Sequence, residues 1–390
     1  MFMILSLLAL IALPVSTDHA DNCCGFTVNR TDSLYSAVFT EVFETDFLHG
    51  YDVTIDSLHE HGWTPQVYNV TPGAARGPYG KAAMLDSVRG NPIGNQWDWV
   101  GPGIRGADPG LQLWVRNMLV GDAGELMVPM GEIVSKRADM LYGSFRIGVK
   151  YTSQPGTCSA FFWYRNDSQE IDVEYLSREQ NQTAHPVNLV VQSPESVQQG
   201  YNANGTEDFT AYHLVFAPDE EYHEYRFDWL PDRVDFYVDG MPMRSMRDSI
   251  PDAPGHLMVN HWSNGNQGWS GGPPKQDAVM TISYVKAYFN TTDSIRNTML
   301  VPGCTPCQIP DQLTPPDPAG FSGNSSGRTF FFSHNASQTA PTTVYSGLAG
   351  STPTSGAPRP IAQQASAPSG ASLVCAVLLL LYILRILFFR

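Results

Sequence analysis

The run Glu170-Ile171-Asp172-Val173-Glu174 carries the chemistry that stands out most clearly in this chain. Side chains of a β-strand alternate between its two faces, so Glu170, Asp172 and Glu174 share one face and Ile171, Val173 and Tyr175 the other. The apolar side belongs in a core. The acidic side stacks three like charges with no Lys or Arg between them, which an ordinary solvated strand rarely does. Cleavage of a glycosidic bond gives such a face a purpose. A retaining glycosidase needs two carboxyls about 5–5.5 Å apart, one as nucleophile and one as acid/base. The Cα atoms of Glu170 and Glu174 are about 13 Å apart at strand rise, and two long Glu side chains leaning inward close that gap. Crowding among three carboxyls keeps one of them protonated near neutral pH, as general acid catalysis requires. A solvated or calcium-binding acidic strand is the alternative reading of the same run.

The elements that must hold this strand read as all-β. Residues 25–290 contain short alternating runs separated by Gly, Pro, Asn and Asp. Leu111–Arg116 and Phe145–Lys150 alternate. Tyr225–Trp229 leads through Pro231 into Val234–Val238, Asp239-Gly240 starts a further hairpin, and Met280–Tyr288 is a terminal strand. No stretch has a sustained 3.6-residue apolar period. The expected fold is a two-sheet antiparallel β-sandwich. Composition agrees: 34 Gly, 29 Pro and only 16 % charged residues. The formal net charge of −15 speaks against a nucleic-acid partner. It tolerates a neutral polyhydroxylated ligand.

On these residues the chain resembles glycoside hydrolase family 16, the laminarinase and lichenase clan with a concanavalin A-like jelly roll. The acid strand fits its Glu-x-Asp-x-Glu signature. Around it, in order, stand Gly131-Glu132, Tyr142-Gly143, Ala160–Tyr164, Tyr222–Trp229, Phe236–Gly240, Met258–Trp262 and Gly268–Gly271. The resemblance covers roughly 110–290. It implies Glu170 as nucleophile, Glu174 as acid/base and Asp172 as assisting residue, with Glu132 as a substrate contact. The family's lichenases often carry an Arg two positions after this Glu; here Val134 stands there. Tyr164, Trp262 and Trp269, with Phe162, read either as sugar platforms or as core aromatics. No cofactor or resident metal is required, and the resemblance leaves room for a structural calcium ion at a sandwich edge.

Both ends read as addresses. Residues 1–17 form a short apolar segment followed by small residues, the pattern of a signal peptide. At the other end about twelve apolar residues precede Arg385, against roughly 20 for a spanning helix. Residues 371–390, with the small triplet Ser355-Gly356-Ala357 and a spacer upstream, read as a GPI-attachment signal, the alternative being a membrane anchor. Residues 291–370 contain a Cys pair and then a Pro/Ser/Thr-rich stalk. Eight sequons, at Asn29, Asn69, Asn166, Asn181, Asn204, Asn290, Asn324 and Asn335, fit a secreted glycoprotein. Cys23 and Cys24 precede the body, Cys304 and Cys307 follow it, and the expectation is that these pairs bridge each other, in a connectivity that spacing does not fix, with a zinc site made of the same four as the alternative. Cys158 is then left over; Cys375 lies in the tail.

Two other motifs carry less. Gly268-Trp-Ser270-Gly-Gly272 fits the serine-hydrolase nucleophile elbow, but Pro273-Pro274 replaces the helix that the elbow needs. His59-Glu-His61 lacks a third metal ligand and reads as a polar turn. The expected function is a retaining, cell-surface endo-1,3(4)-β-glucanase whose partner is a β-glucan of a cell wall. A wall transglycosylase using the same residues and a non-catalytic glycan-binding module are the alternatives.

Overall fold

The computed structural model describes residues 25–28, 38–49, 55–60, 62–94, 98–292, 306–312 and 342–346. The chain divides into two compact units, Met1–Gly356 and Ala357–Arg390, and every described residue lies in the first. The cysteine pairing expected of Cys23, Cys24, Cys304 and Cys307 and both terminal signals lie outside what is described. Among the described residues, no helix is long and apolar enough to cross a membrane.

In chain order the strands are β1 (Phe26–Val28), β2 (Val38–Phe39), β3 (Glu41–Asp46), β4 (Trp63–Pro65), β5 (Tyr68–Val70), β6 (Gly80–Ala83), β7 (Val88–Asn91), β8 (Gly110–Val115), β9 (Met127–Ser135), β10 (Leu141–Lys150), β11 (Cys158–Asn166), β12 (Gln169–Leu176), β13 (His185–Gln192), β14 (Phe209–Leu214), β15 (His223–Leu230), β16 (Arg233–Val238), β17 (Met241–Met246), β18 (His256–Trp262), β19 (Ala278–Asn290), β20 (Cys307–Ile309) and β21 (Thr342–Ser346). Among the described residues three short α-helices interrupt them: α1 (Ile55–Glu60), α2 (Pro72–Ala75) and α3 (Pro194–Gln198).

The strands form two large sheets. One runs β17-β16-β15-β10-β19-β3-β21, with β8 on β19 and β7 on β8. The other, which carries the acids, runs β14-β13-β12-β11-β18-β9-β6-β5, with β4 also on β9. A small third sheet, β2-β1-β20, includes a parallel pair in which Phe26 faces the Cys307 backbone.

The two large sheets meet through their apolar faces. Phe161, Trp163, Ile171, Val173 and Tyr175 from the acid sheet are buried with Phe145, Tyr225, Phe227 and Trp229 from the other. Trp163 lies 4.3 Å from Trp229, and Phe161 5.3 Å from Phe227. The buried indoles keep partners: Trp163 donates to the Met140 carbonyl at 3.2 Å and Trp229 to the Pro251 carbonyl at 3.0 Å. This is the expected antiparallel sandwich. At the β16–β17 turn, Asp239 (φ 47°) and Gly240 (φ 75°) take the left-handed region that a tight hairpin needs.

Candidate active site

The hairpin β11–β12 positions the acids. At its tip the Asn166 side-chain oxygen accepts from the Ser168 backbone N–H and hydroxyl, each at 3.0 Å, which turns the chain over. The register then sets Tyr164 opposite Glu170, Phe162 opposite Asp172 and Ala160 opposite Glu174. Ile171, Val173 and Tyr175 are fully buried in the core, so the even positions are driven to the outer face of the sheet. Asp172 is 4 % exposed, while Glu170 and Glu174 are half-buried.

All three carboxyls hold their protons more tightly than usual. Burial pushes Glu170 up to about 8; the hydrogen bond to Asp172 acts against this. Burial pushes Glu174 up to about 7, opposed by hydrogen bonds from the Cys158 thiol and Trp269 and by the charges of Lys81 and Arg76. Asp172 is pushed well above the carboxylate range, by burial first and by Glu170 and Glu174 second. The hydrogen bond between the two favours the charged form of Glu170 and the neutral form of Asp172. The Cys158 sulfur lies 3.5 Å from Glu174 Oε1 and is itself fully buried.

The acid row continues across the sheet. Glu174 faces Ala160, Ala160 faces Asn260, and Asn260 faces Glu132. Glu132 accepts from Tyr68 Oη at 3.0 Å and from Asn260 Nδ2 at 3.2 Å. Burial raises the Glu132 carboxyl, although both hydrogen bonds and Lys81 oppose the rise. The Lys81 ammonium sits 4.5 Å from the ring centroid of Trp262, whose strand position is opposite Cys158. Burial lowers the Lys81 pKa, against the pull of Glu132, Cys158 and Glu174. Val134 stands on the same face, opposite Met258.

The structure thus gathers Glu132, Tyr164, Glu170, Asp172, Glu174 and Trp262 on one sheet face, and Trp269 reaches Glu174 from the loop after β18. Phe162 shares that face, 6 % exposed and 6.5 Å from Tyr164. Tyr68, Lys81, Cys158 and Asn260 complete the site and were not picked out from the sequence. Cys158 could have been found, because it stands an even number of residues before Phe162 in an alternating run. Tyr68 and Lys81 lie before the recognisable blocks and gave no such signal. Ser270 of the elbow-like motif is fully buried and hydrogen-bonds Asn264 Oδ1 at 2.8 Å, a turn-forming role. His59 lies in the last turn of α1 and not in a loop turn, and its carbonyl accepts from Gly62 at 3.4 Å; His61 lies outside the described residues. Among the described residues no His, Cys, Asp and Glu cluster could hold a metal ion.

An antiparallel sandwich with three crowded carboxyls on the outer face of an interior strand presents a carboxylate-centred arrangement of the kind glycosidases use. Residues 96–286 match the model of "Glycosyl hydrolases family 16". A "Beta-glucanase" of Acetivibrio thermocellus is 31 % identical over 157 residues, 38 % of this chain and 43 % of that protein. A "Beta-glucanase" of Bacillus amyloliquefaciens is 31 % identical over 137 residues, 33 % of this chain and 52 % of that protein. The chain spans about half the length of the curated relatives it matches. Among solved structures, the catalytic domain of an endo-1,3-beta-glucanase (laminarinase) from Thermotoga petrophila aligns with a TM-score of 0.46 at 18 % identity. It covers 64 % of this chain and 95 % of its own.

Proposed function

We propose that this protein hydrolyses β-glucans with retention of configuration, as an endo-1,3(4)-β-glucanase. The observation that carries the reading is the placement of Glu170, Asp172 and Glu174 on one face, inside the segment that matches the family. Glu170 attacks the anomeric carbon. The proton of Glu174 passes to the leaving oxygen, the glycosidic bond breaks, and a glycosyl ester forms on Glu170. Glu174, now a carboxylate, takes a proton from water as the water oxygen attacks the same carbon and frees Glu170. Asp172 stays neutral and donates to Glu170, which favours the ionised nucleophile. In the ligand-free protein burial holds a proton on Glu170 to a higher pH than on Glu174. Catalysis needs the reverse order, a proton on Glu174 and none on Glu170, so the proposal requires the bound sugar to reverse it.

Glu132, Tyr164, Trp262 and Trp269, with Tyr68 and Asn260, are the proposed sugar contacts. Nothing in this reading calls for a cofactor; a structural calcium ion at a sandwich edge stays part of the proposal. So do secretion, display on the cell surface beside a wall, and tethering through a lipid anchor or the C-terminal segment.

The test uses the secreted protein from a glycosylating host, with laminarin, lichenan and chitin oligomers, each with and without a fluorescent glucan acceptor. New reducing ends from a β-glucan, with no label in longer chains, are expected. Label carried into longer products would overturn hydrolysis in favour of transglycosylation, and binding without any product would return a glycan-binding module.

A further inference from the structure

Two loops meet over the acid face. Residues 71–79, which carry α2, belong to the β5–β6 edge of the acid sheet, and the loop between β13 and β14 belongs to the opposite side. Between them lie β12, β11, β18 and β9 with all four carboxyls. The Arg76 guanidinium stacks 4.0 Å from the ring centroid of Tyr201, and its Nη1 donates to the Gly200 carbonyl at 3.1 Å. Tyr201 Oη donates to one oxygen of Asp167 at 2.7 Å, and Tyr164 Oη donates to the other at 2.8 Å. Tyr164 in turn stands opposite Glu170.

The other end of the connection is seated near Trp269. Asn264 Nδ2 donates to the Ala75 carbonyl at 2.6 Å, and Asn266 Nδ2 to the Arg76 carbonyl at 3.1 Å. A Cβ on Gly77 would lie 2.4 Å from the Asn264 carbonyl oxygen, so the turn packs closely on that backbone. Arg76 therefore starts at the Glu174 end of the acid row and finishes at the Glu170 end. Its charge acts on both Glu174 and Lys81. The path lies across the face and not around its rim.

Both partners also hold uncommon backbone conformations, Arg76 as the C-cap of α2. Arg76 (φ 58°) and Tyr201 (φ 65°) are non-glycine residues in the left-handed region. Such conformations persist where the surroundings require them and concentrate at ligand clamps. Both side chains remain open to water, where a cation–π contact and its hydrogen bonds are individually weak. The connection has the properties of a latch.

We propose that Arg76 and Tyr201 form a latch over the carboxylate row that decides how a glycan chain enters. With the latch closed, chain ends and short oligosaccharides slide lengthwise beneath it to Glu170 and Glu174. The interior of a long chain must enter from the side and gains access only while the latch is open. The selectivity rests on the glycosidase reading above; the latch itself does not.

Two measurements on Arg76→Ala and Tyr201→Ala separate these claims. Amide hydrogen exchange without substrate reads the latch: Arg76→Ala speeds exchange in residues 193–208, and Tyr201→Ala speeds it in residues 71–80, by about three- to tenfold. Unchanged exchange in the partner loop of both variants would overturn the latch. The ratio of kcat/KM on a soluble β-1,3-glucan polymer to that on its trisaccharide reads the selectivity. It rises about three- to tenfold in both variants; an unchanged or lower ratio would overturn the entry role. Arg76→Lys retains the charge near Glu174 without the planar stacking, and it raises the ratio in the same way. Wild-type protein that cleaves neither glucan would sink the glycosidase reading, with the exchange result still deciding the latch.

Discussion

Two sheet faces of this molecule carry rows of charge, and they treat it in opposite ways. On β12 the row Glu170, Asp172 and Glu174 has no cation between its members, and all three carboxyls are pushed towards the neutral form. On the outer face of the other sheet, Arg146 of β10 stands between Arg226 of β15 and Lys286 of β19. Three carboxylates answer these cations. Glu224 lies 3.6 Å from Arg146, Glu44 lies 3.2 Å from Lys286, and Asp228 accepts from Arg226 Nε at 2.7 Å. Burial alone would raise Asp228, yet Arg226 outweighs it and holds the carboxyl below its usual range. The network is sealed from above: Arg146 donates to the Pro310 carbonyl at 2.7 Å and Arg226 to the Asp311 carbonyl at 2.9 Å. The first face keeps its protons mobile and suits chemistry. The second keeps its charges matched and suits structure. The local pattern is the same alternation of charged and apolar residues, so the partner charge decides which outcome follows.

The largest test of this contrast removes one acid from the unmatched row. Glu170→Gln and Glu174→Gln should each lower kcat on the productive glucan by about 10²–10⁴-fold, with far-UV circular dichroism unchanged. Retention of wild-type turnover by either would remove that residue from the mechanism. On the matched face the effect is on stability. Asp228→Asn leaves the Arg226 charge without its partner and should cost about 3–5 kcal/mol, read from the urea midpoint. Turnover per folded molecule should not change, and a stability within error of wild type would show that the network is not what holds this face.

A third test uses the sign of the shifts. A carboxyl whose folded pKa is raised costs stability as pH climbs through the window between its unfolded and folded values, here from about 4.5 to about 8 for Glu170. Glu170→Gln lifts that cost. The variant should match wild type near pH 4 and melt about 2–6 °C higher at pH 8. Equal melting curves across the window would mean that Glu170 ionises freely. The smallest effect expected is at Cys158. Its thiol stabilises the charged form of Glu174, so Cys158→Val should move the basic limb of the pH–rate profile upward and change kcat by less than about tenfold. Cys158→Ser, which keeps a donor, should restore the limb. A profile that does not move in the Val variant would reduce the thiol to packing.

Much of the site was legible because strand alternation is a local property. Once Ile171, Val173 and Tyr175 are assigned to a core, Glu170, Asp172 and Glu174 must share the other face, whatever the rest of the chain does. The neighbours of that face were less legible. Asn260 meets Glu132 only because β18 pairs with β9 in one register, across 128 residues of sequence. Lys81 and Tyr68 come from short strands at the sheet edge, where β6 runs parallel to β9, and no alternation announces that. The matched face was hidden for a related reason. Arg146, Glu224 and Lys286 alternate as a solvated face would, and the chain around Pro310 buries them.

The sequence by itself determined the all-β class, the face on which the three acids stand, and the chemistry that three crowded carboxyls permit, because each follows from residues within a few positions of one another. The tertiary structure alone decided which carboxyls are matched by cations, which thiol and indole reach Glu174, and that Arg76 meets Tyr201 above the row. Those outcomes depend on contacts between residues far apart in the chain, and the pairing of strands into sheets is what brings them within a few ångströms.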